Sequence, residues 1–76
     1  MKAAILVWTE AGKFRDVVAE IKKIKGVKNA FAVAGRADVA VLAETADLKG
    51  LSGLALKIFL SPGVTASETL VELPRE

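Results

Sequence analysis

The sequence predicts an α+β fold, a ferredoxin-like βαββαβ sandwich that pairs through its sheets into a dimeric α+β barrel. Three observations carry that prediction. Apolar runs and helical stripes alternate in the order β-α-β-β-α-β along the 76 residues. A polar break, Gly35-Arg36-Ala37-Asp38, separates two apolar runs in the middle of the chain, as a hairpin turn does. The strands that the right-handed crossover rule places at the centre, the first and third, are the two unbroken apolar ones.

Ala3-Ala4-Ile5-Leu6-Val7-Trp8 is a continuous apolar run and reads as a strand buried on both faces. Ala11-Gly12 breaks it. From Lys13, residues Phe14, Val17, Val18, Ile21 and Ile24 fall on one helical stripe. Lys22, Lys23 and Lys25 gather where cations complement the carbonyl end of the helix dipole, and Gly26 stops the helix. A phosphate-binding patch is the alternative reading of those lysines. Val27 to Ala34 gives the second strand and Asp38 to Ala43 the third. Thr45-Ala46-Asp47 offers N-cap residues for a second helix, whose stripe is Leu48, Leu51, Leu54, Ala55 and Ile58. Gly50 and Gly53 inside it cost roughly 1 kcal/mol each relative to Ala and point to close backbone packing. Ser61-Pro62-Gly63 ends the helix. Val64 to Leu73 is the last strand, with Thr65, Ser67 and Thr69 on one face. Lys25-Gly26-Val27 and Pro62-Gly63-Val64 form an internal echo, each joining a helix to its following strand. The whole of 1–76 reads as one domain.

Composition removes several function classes. With no Cys there are no disulfides or thiolate metal sites, and with no His the commonest general base and metal ligand is missing. Neither a cofactor nor a metal is expected. A net charge of +2 does not argue for nucleic acid. The aromatic residues Trp8, Phe14, Phe31 and Phe59 are not spaced as RNA-stacking modules require. The opening apolar run is too short to span a membrane and the amino end lacks a signal-peptide layout, so a cytoplasmic location is expected.

Hydrophobic residues make up 53% of the chain, too many for a small domain to hide alone. Two helices cover one face of a four-stranded sheet, and nothing remains for the other. A homodimer joined through the sheets resolves the conflict. The turn offers the one piece of chemistry: backbone N–H groups for a carboxylate and Asp38 for an ammonium, enough to hold a small zwitterion. A simple stable hairpin is the other reading of the same residues.

Several short segments resemble the effector-binding domain of the Lrp/AsnC transcription regulators, the RAM domain. They are Thr9-Glu10-Ala11-Gly12-Lys13, Lys25-Gly26-Val27, the Gly-x-x-Asp turn Gly35-Arg36-Ala37-Asp38, and Pro62-Gly63-Val64 followed by Thr65, Ser67 and Thr69. The resemblance implies dimers assembled into rings, often octameric, with an amino-acid effector bound between dimers. It assigns Gly35, Arg36, Ala37 and Asp38 as the effector-contacting turn, with Thr65, Ser67 and Thr69 as further ligand-binding candidates. The family's regulators carry an N-terminal helix-turn-helix, whereas this sequence opens on the first strand. That departure implies a stand-alone form without direct DNA binding, which senses amino acids or co-assembles with a full-length regulator. An ACT-like regulatory module and a small dimeric α+β barrel enzyme are the rival readings, the latter with too few polar strand residues to build a pocket.

Overall fold

A computed structural model describes residues 1–74. Arg75 and Glu76, the end of the single domain expected over 1–76, lie outside the described residues. The elements are β1 (Lys2–Thr9), α1 (Phe14–Lys22), β2 (Val27–Ala32), β3 (Val39–Glu44), α2 (Leu48–Phe59) and β4 (Val64–Val71). The sheet is antiparallel, in the order β2-β3-β1-β4, so the two apolar strands are central as expected.

Strand alternation divides β1 cleanly. Ala3, Ile5 and Val7 are buried under the helices with Val39, Val41 and Ala43 of β3. Val17 and Ile21 of α1 and Leu51, Leu54 and Ile58 of α2 close this core from above. Ala4, Leu6 and Trp8 point the other way and are only half-buried. The expectation of a strand buried on both faces is therefore met on one face in the single chain, because both helices lie on that side. On the open face Phe31, Leu42 and Leu70 remain 43%, 45% and 48% exposed around Leu6 and Trp8.

Two strands end earlier than their apolar runs. β2 stops at Ala32 rather than Ala34, since the Val33 N–H donates to the Asp38 carbonyl (3.0 Å) and closes the turn there. β4 stops at Val71 rather than Leu73, since the Glu72 N–H takes the Lys2 carbonyl (2.9 Å) and the next carbonyl, that of Met1, is taken by the Thr45 N–H (2.9 Å). Asp47 is the N-cap of α2, its carboxylate accepting from the Gly50 N–H at 2.8 Å.

The internal echo is a structural pseudo-symmetry. The Gly26 carbonyl accepts from the Glu44 N–H (2.9 Å) at the last residue of β3, and the Gly63 carbonyl from the Glu10 N–H (2.8 Å) just after β1. Val27 pairs with Ala43 and Val64 with Thr9, and in each edge strand the next residue, Lys28 or Thr65, is an extra one in a bulge. Each bulge shifts the alternation by one, which returns Val27 and Val64 to the helix side, where both pack on the core.

Candidate functional site

The turn between β2 and β3 is fastened to three consecutive residues at the end of β1. The Asp38 N–H donates to the Val7 carbonyl (3.0 Å). The Trp8 indole N–H donates to the Arg36 carbonyl. The Thr9 N–H donates to Asp38 Oδ2 at 2.8 Å, with the Thr9 hydroxyl farther off at 3.5 Å. This arrangement follows from the register: Val7 opposes Val39, so Asp38 lies beside the end of β1. Gly35 has φ +144°, which an L side chain rarely adopts, so the turn requires glycine at its apex.

Among the described residues, the backbone N–H groups of Gly35, Arg36 and Ala37 and the second carboxylate oxygen of Asp38 have no hydrogen-bond partner within the chain. Gly35 and Arg36 are exposed, while Ala37 is buried and can offer only backbone. The Arg36 guanidinium forms an ion pair with Glu68 Oε1 of β4 (3.4 Å) across the open face. Both side chains are well exposed, so the pair orients Arg36 more than it stabilises the fold.

Of the hydroxyl residues on β4, Thr65 belongs to this end of the sheet, and its hydroxyl donates to the Trp8 carbonyl (3.2 Å). Ser67 and Thr69 oppose Val7 and Ile5, which puts them on the helix side and successively farther from the turn. The structure thus brings Gly35, Arg36, Ala37, Asp38 and Thr65 to one rim and separates Ser67 and Thr69 from it. Sequence reasoning did not foresee that Trp8 and Thr9 hold the turn. The available signal was the adjacency of β1 and β3, which forces the residue before Val39 against the residue after Trp8.

Two grooves lie elsewhere. One, of about 440 Å³, runs between the ends of β1, β3 and β4 beside Leu42 and Leu70. The other, of about 480 Å³, lies between α2 and the start of β2. Neither takes in Gly35–Asp38, where Gly35 and Arg36 stand exposed at the rim of the sheet. Among the described residues there is no group of three acidic side chains placed to hold a metal ion. None of their helices is long and apolar enough to cross a membrane.

The chain belongs to the Lrp/AsnC ligand binding domain family, whose model matches residues 2–75. That membership sets aside the ACT-like reading and gives the chain a regulatory, effector-binding role. The crystal structure of FFRP-DM1 superposes with a TM-score of 0.87 at 34% identity, over 95% of this chain and 97% of that one. The hypothetical protein PHS023 from Pyrococcus horikoshii gives 0.86 at 33% identity, over 97% and 90%. The transcriptional regulator NMB0573 from Neisseria meningitidis, solved as an L-Met complex, gives 0.80 at 28% identity, over 96% of this chain and 49% of that protein. This chain thus spans about half the length of that regulator. Comparison with curated proteins finds none that matches.

Proposed function

We propose that this chain is an amino-acid-sensing regulatory domain without enzymatic activity. It dimerises through the open sheet face, and its dimers assemble into a ring that holds an amino-acid effector between them at the Gly35–Asp38 turn. The observation that carries the ligand reading is the turn itself: three successive backbone N–H groups and one oxygen of the Asp38 carboxylate without a hydrogen-bond partner among the described residues. An α-carboxylate accepts from the former and an α-ammonium donates to the latter. The L-Met complex of NMB0573 supports this reading, since that relative is 28% identical. An exposed rim on a single chain also suits a ligand enclosed by a second dimer.

Half-exposed Phe31, Leu42 and Leu70 around Leu6 and Trp8 support the dimer. The outer side of α2 supplies a second apolar surface for ring assembly, with Leu48, Leu56, Phe59 and Leu60 exposed by 48% to 69%. Mixed assembly with a full-length Lrp/AsnC regulator would use the same two faces. A cytoplasmic location accords with this role.

The test is a calorimetric titration of the unmodified protein with the standard amino acids, repeated on Asp38→Asn. The reading expects at least one saturating amino acid and loss of its binding in the variant. Absence of binding by every amino acid, or undiminished binding to Asp38→Asn, would refute the ligand assignment.

A further inference from the structure

We infer that the groove between α2 and the start of β2 is a second ligand site, for a small multivalent anion of the oligophosphate kind. The groove measures about 480 Å³, within the size range of small-molecule sites. Lys25, Lys28 and Lys57 line it from three separate segments: the loop after α1, the bulge of β2 and the last turn of α2. None of the three forms an ion pair among the described residues, whereas Lys23 of the same sequence cluster pairs with Glu20. Two carboxylates are near. Asp47 caps α2 through the Gly50 N–H, and Glu44, at the end of β3, lines the groove as well, setting one carboxylate against the three lysines. Lysine ammoniums are compact point charges suited to phosphate oxygens, and three around one opening suit a ligand whose charge is spread over several of them.

The pseudo-symmetric positions are not packed alike, and the clearest open space is at Gly53. In the other half, Gly63 is covered: a Cβ there would come within 3.0 Å of Val17 Cγ2 and 3.3 Å of Lys13 Cβ. At Gly26 the nearest atoms are 3.4 Å or more away, and Gly50 and Gly53 line the opening without side chains. Gly53 has no packing reason to be glycine, since a Cβ on it meets nothing within 4 Å. Its cost to the helix goes with keeping the groove clear. The site lies at the opposite end of β3 from the Gly35–Asp38 turn and does not depend on the amino-acid reading.

The test is calorimetry of the whole chain with inorganic triphosphate, and with citrate to separate phosphate from general polyanion chemistry. The expected result is saturable binding of triphosphate at one per chain, stronger than citrate and weakened by added salt. Lys28→Ser and Lys57→Ser should each weaken it by about fivefold or more, while Lys22→Ser, outside the groove, leaves it within about twofold. Gly53→Leu fills the opening without changing charge, favours the helix, and should abolish binding. Circular dichroism confirms that each variant is folded. The inference is overturned if triphosphate does not saturate at low salt, if citrate binds as well, if Lys22→Ser weakens binding as much as Lys28→Ser, or if folded Gly53→Leu binds unchanged.

Discussion

Thr9 donates its backbone N–H to Asp38 Oδ2 at 2.8 Å, so the carboxylate assigned to a ligand also holds the turn to β1. Replacing it with alanine leaves a half-buried donor without a partner, at a cost of about 1–3 kcal/mol. Asp38→Asn keeps an oxygen for Thr9, while it removes the charge and replaces the second oxygen with an NH2 donor. Chemical denaturation should show Asp38→Ala clearly destabilised and Asp38→Asn within about 1 kcal/mol of the parent. If amino-acid binding is lost in both variants, the loss in Asp38→Asn is the informative one. Equal stability of the two variants would show that the Thr9 contact contributes nothing.

Gly53 and Gly63 should respond in opposite directions to alanine. Gly53 lies inside α2 with open space around it, so Gly53→Ala should stabilise by about 0.5–1 kcal/mol. Gly63 has φ +89° and a Cβ position 3.0 Å from Val17 Cγ2. Alanine there takes on both backbone strain and overlap with a core side chain, and should destabilise by about 2 kcal/mol or more. Thermal melts of the two variants beside the parent check the pair.

Asp47→Ala removes the side-chain acceptor of the Gly50 N–H at the start of α2. A loss of about 1 kcal/mol is expected by denaturant titration, with the amplitude of the transition unchanged. A larger loss would mean that Asp47 also shapes the neighbouring loop at Thr45, whose hydroxyl donates to the Asp47 carbonyl at 2.9 Å.

Element order and strand order were legible because each depends on a local period and on one handedness rule. The N-cap at Asp47 was legible for the same reason: capping is decided within four residues. Which face of β1 meets the helices was not, since Ile5, Leu6, Val7 and Trp8 are all apolar and alternation alone does not choose a side. The ends of β2 and β4 were overextended because Val33, Ala34 and Leu73 are apolar, while strand length depends on whether a neighbour offers a carbonyl. The turn was visible as a Gly-x-x-Asp break. Its tether to Trp8 and Thr9 joins residues 28 and 29 positions apart, which no local pattern contains. The same applies to the lysines: Lys22, Lys23 and Lys25 are neighbours in sequence, but the groove selects Lys25 with Lys28 and Lys57.

The dimer prediction depends on the two faces of β1 behaving differently. Leu42 lies on the open face of β3, opposite Ala4, and is 45% exposed. In a single chain a lysine there can reach water along its stem, so folding should change by no more than about 0.5 kcal/mol. In a sheet-to-sheet dimer the same charge would be enclosed near apolar surface without a partner. Leu42→Lys should therefore give a folded monomer where the parent sediments as a dimer or larger at micromolar concentration. Ile5 is the control from the other face: it is fully buried under the helices, and Ile5→Lys places an unpaired charge in the core. That variant should lose more than about 4 kcal/mol and fail to fold. A parent that sediments as a folded monomer, or a Leu42→Lys that keeps the parent's mass, would show that the open face is not the interface.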